Sequence, residues 1–131
     1  MEELLAAAFN ARMNAYAPYS VYRVGAALRG ADGQVYTGCN VENISFGATI
    51  CAERAAILKM VEAGCRVWTE LVVATQDGGR PCGLCLQVLA EFLPEEGMAK
   101  VAWADENGVK GEAGFQDLLP QAFRTQRLNV K

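Results

Sequence analysis

Two of the most apolar segments of this sequence begin with cysteines, and this placement limits what the chain can fold into more than any other feature. The stretch ATICAERAAI, residues 48–57, puts Cys51 two positions before Glu53, and RPCGLCLQV, residues 80–88, contains Cys82 and Cys85. The chain has no histidine. A buried acid without a partner is costly, so the fold must place this acid and these thiols where they have a use.

Length, composition and charge narrow the class of protein. The chain has 131 residues, 52% of them hydrophobic and 21% charged, which predicts a single globular domain over residues 1–131. The net charge is −3 and the basic residues are scattered, so we expect no long nucleic acid as a partner. The apolar run in MEELLAAAFNAR is too short for a signal peptide or a membrane span. We therefore expect a cytoplasmic protein that does not associate with membranes.

The pattern of apolar residues predicts the order of helices and strands. Leu5, Phe9, Met13 and Tyr16 recur at helical spacing and predict a first helix that ends before Pro18. The remaining predicted elements are strands at 24–28 and 34–39 around a turn at 31–33, a helix at 51–63, a strand at 70–75, a helix at 83–92, strands at 100–104 and 109–112, and a short helix at 116–123.

This order of elements predicts an α/β fold, a three-layer α/β/α sandwich with a mixed, mostly five-stranded sheet. Active sites on such sheets lie where strand ends meet helix starts. Both cysteine motifs are at predicted helix starts.

The three motif cysteines have the spacing of a metal site. Five cysteines in a reducing compartment are more often ligands, catalysts or packed thiols than disulfides. Cys82 and Cys85 are three apart on one helix and point to the same side, and a helix N-terminus favours thiolates there and at Cys51. Three thiolates with one open position are typical of catalytic rather than structural zinc. We therefore predict that Cys51, Cys82 and Cys85 bind one Zn²⁺.

Glu53 and Arg54 complete the candidate site. Residues two apart on a helix point about 200° away from each other, but in the first turn the side chains of Cys51 and Glu53 can both reach past the helix end. A carboxylate beside a metal-activated water can carry its proton. Arg54 is the first candidate to donate to a ligating sulfur and offset its charge, and Arg80 is a weaker one.

At this point the sequence resembles a known family. TGCNVENISFGATICAERAAI together with PCGLCLQV is similar to the small, homo-oligomeric cytidine deaminases that act on free nucleosides, and AYAPYS, VGAAL and LLPQAF extend the similarity over most of the chain. Zinc deaminases are known for a site of this type with an adjacent Glu and a PCxxC element. The resemblance implies a cytidine deaminase-like fold, zinc held by the three cysteines, and Glu53 as general acid and base.

The resemblance also implies a reaction and a place in metabolism. Water would attack C4 of the cytosine ring, and Glu53 would move its proton to N3 and later protonate the departing amine. The products would be uridine, or deoxyuridine, and ammonia, in pyrimidine salvage.

Further residue roles follow from the resemblance alone. The backbone of Ala52 and Cys82 would help to fix the base, and Asn40 and Glu42 would bind the ribose hydroxyls. Members of the family commonly form homotetramers with shared active sites. Phe46 and Phe123 stand at positions that reach a neighbour's pocket.

The sequence departs from the family pattern at three positions. Leu86 stands where the family usually has Arg, Tyr22 where a Phe is offered toward the nucleoside, and Phe46 where a Tyr is usual. Modified pyrimidine nucleosides, substituted at N4 or C5 or similar to blasticidin S, are therefore alternative substrates.

Other interpretations of the same residues stay open. A CxxC pair alone is more often a redox pair or half of a structural zinc site, so a non-catalytic, zinc-stabilised interaction module is an alternative. Deamination within single-stranded nucleic acid is another, although the chain lacks a basic, aromatic groove. From the residues alone, Asn40 could equally shape a turn and Glu42 could face solvent. We expect Cys39 and Cys65 to pack as small hydrophobes.

Overall fold

The computed structural model describes residues 1–95 and 98–123. Within them, one five-stranded sheet is covered by helices on both faces. The elements in chain order are α1 (Glu2–Arg12), β1 (Gly25–Gly30), β2 (Val35–Cys39), a 3₁₀ turn (Phe46–Ala48), α2 (Ala52–Glu62), β3 (Trp68–Ala74), α3 (Gly83–Ala90), β4 (Lys100–Asp105), β5 (Gly108–Gly114) and α4 (Phe115–Leu118).

The sheet is mixed, as the sequence predicts. Its strand order is β2-β1-β3-β4-β5. β1 pairs antiparallel with β2 and with β3, β3 pairs parallel with β4, and β4 pairs antiparallel with β5. The parallel pair needs a crossover, and α3 supplies it. In the β1–β3 register Gly25 lies opposite Ala74. The first residue of β1 and the last residue of β3 therefore lie side by side at the same end of the two strands.

Two apolar layers hold the helices against the sheet. On one face, Leu4 and Ala8 of α1 pack against β-strand residues that include Val72 and Ala102. On the other face, α2 and α3 contribute to a larger core that also contains Trp68 and Phe115. The aromatic rings of Trp68 and Phe115 meet edge to face, with centroids 5.9 Å apart. This arrangement confirms the predicted three-layer sandwich.

Two glycines let a helix approach the sheet closely on each face. A Cβ on Gly25 would lie 2.0 Å from the carbonyl oxygen of Ala8 in α1. A Cβ on Gly38 would lie 2.4 Å from the carbonyl oxygen of Ala52 in α2. Contacts this short are not compatible with a side chain, so glycine at these two positions sets the distance of α1 and α2 from the sheet.

Two helix predictions were wrong in extent. The first helix ends at Arg12, because the Tyr16 N–H donates to the Asn40 carbonyl and the Tyr16 carbonyl accepts from the Glu42 N–H. This backbone pairing draws the chain out of the helical path, and Met13 and Tyr16 are exposed. The last helix covers only Phe115–Leu118, since Pro120 cannot continue it.

No helix in the described ranges has the length and apolar character needed to cross a membrane.

Candidate metal centre

Both cysteine motifs begin a helix on the same face of the sheet. Cys51 is the N-cap of α2 and Cys82 is the N-cap of α3, each with extended backbone. Neither side chain caps its own helix, so both sulfurs are available beyond the helix ends. The amides of the first helical turn have no intrahelical acceptor and favour negative charge at this place. The sequence therefore puts two thiols at two electropositive helix starts.

The three motif sulfurs form a cluster. The Sγ atoms of Cys51, Cys82 and Cys85 all lie within 4.8 Å of one another, and those of Cys82 and Cys85 are 3.5 Å apart. Tetrahedral zinc with Zn–S bonds of about 2.3 Å requires sulfurs roughly 3.8 Å apart, so the donor set fits zinc. Among the described residues no fourth Cys, Asp or Glu joins this cluster, so a bound zinc ion would have three protein ligands and could also take water or substrate.

The other two cysteines lie outside the cluster. Cys65 is half-buried and its Sγ donates to the Val67 carbonyl at 3.3 Å. Cys39 is half-buried at the end of β2. Their placement is consistent with the expectation that both are packed thiols.

Arg54 contacts the cluster directly. Its Nη2 donates to Cys51 Sγ at 3.5 Å and to the Thr49 carbonyl at 3.0 Å. Hydrogen bonding from the Cys85 thiol, followed by the Arg54 guanidinium, lowers the pKa of Cys51 to about 5. These contacts favour the thiolate form of Cys51, which is the form that binds zinc.

The other candidate cation is used elsewhere. The guanidinium of Arg80 lies over the Trp103 ring, 4.9 Å from its centroid. Leu86 is 8% exposed and belongs to the apolar core. In the described part of the chain, Arg54 is the arginine hydrogen-bonded to a cluster sulfur.

Glu53 is a buried acid at the second position of α2. Its side chain is 5% exposed, and burial raises its pKa to about 7, with the negative charge of Cys51 acting in the same direction. Its backbone amide, the Cys85 thiol and Arg54 act the other way. The carboxyl group therefore lies beside the cluster, and it can accept or release a proton near neutral pH.

Asn40, a predicted ribose ligand, is buried and holds the segment that leads into β1. Its Nδ2 donates to the Tyr22 carbonyl at 2.8 Å, and its Oδ1 accepts from the Val24 N–H at 2.9 Å. Each atom of the amide makes one of these bonds, and an amide has one further N–H and one further lone pair to offer a ligand. Ribose binding by Asn40 stays a prediction.

Glu42 holds the neighbouring turn. Its Oε1 accepts from the N–H groups of Tyr19 and Ser20 at 3.0 and 3.1 Å, and its Oε2 accepts from the Ser20 hydroxyl. The Ser20 hydroxyl is the main cause of a lowered pKa for Glu42. The sequence predicted that Glu42 either binds ribose or faces solvent. Its hydrogen bonds to the turn at 19–20 were not predicted.

The other predicted site residues differ in exposure. Ala52 is fully buried as the first residue of α2, and Tyr22 is half-buried. Phe46 is 76% exposed and its ring meets Tyr19 edge to face at 6.3 Å. Phe123 is 65% exposed, and its carbonyl accepts from Gln87 Nε2 at 2.8 Å. Both phenylalanines are thus exposed within the described part of the chain.

Sequence reasoning missed Thr75 and Asp77, which shape the loop that runs from β3 to Cys82. The Thr75 hydroxyl accepts from the Gly78 and Gly79 N–H groups at 2.7 and 2.9 Å. Asp77 Oδ1 accepts from the Tyr22 hydroxyl at 2.6 Å. The signal for a structured turn was present, because Thr and Asp two residues apart before Gly-Gly are typical of side-chain-stabilised turns.

Three comparisons with known proteins agree with this geometry. Residues 1–101 match the family described as the cytidine and deoxycytidylate deaminase zinc-binding region. The cytidine deaminase of Sporosarcina psychrophila is 42% identical over an alignment of 131 positions, which covers 98% of this chain and 95% of that protein. A crystal structure of cytidine deaminase from Burkholderia pseudomallei superposes with a TM-score of 0.84 at 40% identity, covering 93% of this chain and 98% of that one.

The cytidine deaminase of Mycobacterium tuberculosis is a further relative, 45% identical over an alignment of 118 positions that covers 88% of this chain and 84% of that protein. The matches to the Sporosarcina psychrophila protein and the Burkholderia pseudomallei structure cover nearly the whole chain, so the similarity is not confined to the two cysteine motifs. The chain belongs to the cytidine and deoxycytidylate deaminase zinc-binding family.

Proposed function

We propose that this protein is a zinc-dependent enzyme that hydrolyses free cytidine and deoxycytidine to uridine and deoxyuridine and releases ammonia. The observation that carries the proposal is a buried carboxyl group, Glu53, with a pKa near 7 beside a cluster of three cysteine sulfurs. A structural zinc site needs no acid of this kind. Membership of the deaminase family supports the substrate and the reaction.

One zinc ion per protomer is proposed, with Cys51, Cys82 and Cys85 as its ligands. When bound, the metal would supply a Lewis acid that makes water a nucleophile near neutral pH. Arg54 offsets the negative charge of the Cys51 thiolate, to which it donates a hydrogen bond.

Glu53 moves the protons of the reaction. As the water oxygen bonds to C4 of the base, the Glu53 carboxylate takes a proton from it and delivers that proton to N3. It then carries the second proton of the water to the amino group at C4, so that the C4–N bond breaks and ammonia leaves. Cytidine and water thus give uridine and ammonia, and Glu53 ends in the state in which it began.

The substrate is held by residues around the cluster. The backbone of Ala52 and Cys82 would bind the base, since both belong to helix starts with free amides. Asn40 and Glu42 would bind the ribose hydroxyls, and Tyr22 would pack against the nucleoside. The acidic chain, with a net charge of −3, supports a free nucleoside rather than a polymer as substrate.

A homotetramer with shared active sites is proposed as the working form in the cytoplasm. Phe46 and Phe123 would each reach a neighbouring protomer. Support comes from large apolar side chains that are exposed around the segments 16–21 and 41–46: Tyr16 55%, Tyr19 49%, Val21 71%, Val41 46%, Ile44 80% and Phe46 76%. A patch of this kind is typical of an interface.

Two variants test the function. Glu53→Gln keeps the shape of the side chain but cannot carry a proton, so turnover of cytidine should fall about 10²- to 10⁴-fold while zinc content stays at the parental level. Glu62→Gln, an exposed change at the other end of α2, is the matched control and should retain parental turnover. Parental activity in Glu53→Gln would refute the proton-transfer role.

A substrate panel separates the remaining alternatives. Cytidine, deoxycytidine, N4- and C5-substituted cytidines and blasticidin S would be followed by absorbance, together with a cytosine-containing single-stranded oligonucleotide. We expect turnover of cytidine and deoxycytidine and none of the oligonucleotide. A zinc-loaded protein that turns over no member of the panel would instead be an interaction module.

A further inference from the structure

A hydrogen bond joins two distant segments beside the candidate site. The hydroxyl of Tyr22 donates to Asp77 Oδ1 at 2.6 Å, across 55 positions of sequence. Tyr22 precedes β1, and Asp77 lies in the loop that leads from β3 to Cys82. Because Gly25 lies opposite Ala74 in the sheet register, the segment before β1 and the segment after β3 lie at the same end of these two strands.

The Asp77 carboxylate is itself held in place. Its Oδ1 also accepts from the Thr75 hydroxyl and from the Gly79 N–H, both at 3.2 Å. Thr75 is 2% exposed, so the carboxylate is anchored to a buried residue that directly follows β3. The bond from the Tyr22 hydroxyl is the main cause of a lowered pKa for Asp77, and the side chain is therefore an anionic acceptor at neutral pH.

The backbone of Tyr22 is fixed from the opposite side. Its carbonyl accepts from Asn40 Nδ2 at 2.8 Å, and its N–H donates to the Ser20 hydroxyl at 3.0 Å. That hydroxyl in turn donates to Glu42. The two proposed ribose ligands, Asn40 and Glu42, therefore hold the backbone of Tyr22, while Asp77 holds the far end of its side chain.

Fixing both ends leaves the ring face as the part of Tyr22 that can meet a ligand. The residue before it, Val21, has φ of 57°, a left-handed conformation that β-branched residues rarely adopt. The surrounding hydrogen bonds keep the chain in this conformation, which orients Tyr22 toward Asp77. An aromatic ring held in one orientation binds a planar base without first losing rotamer freedom.

We propose that Asp77 is a positioning residue for nucleoside binding, which holds the Tyr22 hydroxyl and thereby fixes the Tyr22 ring against the bound pyrimidine nucleoside. The proposal rests on the proposed function. Asp77 contacts no reacting atom, and it acts on affinity rather than on the chemical step. In this proposal the aromatic ring of Tyr22 contacts the nucleoside, and its hydroxyl serves only to fix the ring through the hydrogen bond to Asp77.

The experiment measures affinity and turnover separately. Asp77→Ala should raise KM for cytidine and the dissociation constant of the product uridine by about tenfold, because a hydrogen bond to a charged group is lost. The kcat value should stay within about twofold, and zinc content should be parental. Asp77→Asn keeps an oxygen that accepts from Tyr22, so its uridine affinity should recover to within about threefold of the parent.

A double substitution shows whether Asp77 acts through Tyr22. Tyr22→Phe removes the donor, and Asp77→Ala in that background should add no further loss. The chain also offers a matched control, since the Tyr36 hydroxyl donates to Asp32 Oδ2 at 2.7 Å in the turn between β1 and β2. Asp32→Ala breaks the same kind of bond at the other end of β1 and should leave uridine affinity unchanged.

Three results would overturn the proposal: parental uridine affinity in Asp77→Ala, an equal loss in the parent and Tyr22→Phe backgrounds, or loss of zinc in Asp77→Ala. The last would mean that Asp77 supports the Cys82 loop instead of Tyr22. If the parent protein does not deaminate cytidine at all, the proposed function fails. If the parent is active and Asp77→Ala binds uridine like the parent, only the positioning role fails.

Discussion

Arg54 Nη2 lies 3.5 Å from Cys51 Sγ, and the Nε of the same guanidinium is buried without a hydrogen-bond partner among the described residues. A buried, unpaired N–H costs free energy. The side chain nevertheless stays at the cluster, because its charge is attracted by the Cys51 thiolate, whose hydrogen bond is the main cause of a raised pKa for Arg54. The attraction between the Arg54 guanidinium and the Cys51 thiolate thus outweighs the cost of the unpaired Nε–H group.

Replacing Arg54 should weaken zinc binding. Among the described residues, Arg54 is the arginine that donates to Cys51, and Leu86 is an apolar core residue, so Arg54→Ala leaves that sulfur without this compensating charge. Loss of a group that supports a metal ligand typically lowers metal affinity about 10- to 100-fold. Competition with a chelator measures this change directly.

The control for Arg54 is an arginine just beyond the other end of α2. Arg66 is exposed, and its Nη1 donates to the Val61 carbonyl at 2.7 Å. Arg66→Ala should retain parental zinc affinity. Full zinc retention by Arg54→Ala would show that the cluster needs no cation.

The five cysteines should fall into two classes, those that bind zinc and those that do not. Cys82→Ser and Cys51→Ser should lose zinc, whereas Cys65→Ser should keep it, because only the first two belong to the cluster. Alkylation followed by mass spectrometry gives an independent measurement. Added zinc should protect Cys51, Cys82 and Cys85 together and leave the labelling of Cys39 and Cys65 unchanged; protection of Cys65 would contradict this assignment.

The sequence was sufficient for features that depend on local spacing. The starts of α2 and α3 follow from apolar periodicity and from the cysteines before them, and the first-turn geometry explains why Cys51 and Glu53 can share a site. The three-layer sandwich follows from the alternation of strands and helices. In these cases neighbouring residues determine the outcome.

Features that depend on tertiary contacts were not predictable in the same way. The first helix ends early because residues 16 and 40–42 pair through their backbones, and apolar spacing alone gives no sign of this. The Tyr22–Asp77 bond joins residues 55 positions apart. The role of Glu42 in the turn at 19–20 likewise depends on a loop 22 or 23 positions away.

The Tyr36–Asp32 pair gives a pH-dependent prediction. The Asp32 carboxylate raises the pKa of Tyr36 to about 12, and the Tyr36 hydroxyl is the main cause of a lowered pKa for Asp32. Asp32→Asn should therefore lower the pKa of Tyr36 toward its ordinary value near 10, as measured by ultraviolet titration of the phenolate. An unchanged tyrosine titration curve would mean that the pair does not persist in solution.

The sign of the stability change differs at the two ends of the pH scale. For Asp32, the folded state binds fewer protons than the unfolded state, so this contribution is lost as the pH falls through the ordinary carboxyl range and below it. For Tyr36, the folded state keeps its proton longer, so the contribution is lost as the pH rises from about 10 through about 12. Relative to Asp32→Asn, the parent should be more stable between these limits and lose that advantage at both extremes in urea unfolding.

Gly38 should be required for the position of α2 and hence of the metal site. A Cβ at Gly38 would lie 2.4 Å from the Ala52 carbonyl oxygen, 2.6 Å from the Ala56 N and 2.8 Å from the Ala55 Cβ. Gly38→Ala must therefore move the start of α2, which follows Cys51 and carries Glu53. Overpacking of this kind costs about 1–3 kcal/mol of unfolding free energy, and zinc affinity should fall with it.

Gly47→Ala is the matched control, because a Cβ there meets no atom within 4 Å, and its stability should stay within about 0.5 kcal/mol of the parent. Urea unfolding and chelator competition on both variants decide the matter, since equal stability and equal zinc affinity would show that α2 does not need this close approach to hold its cysteine.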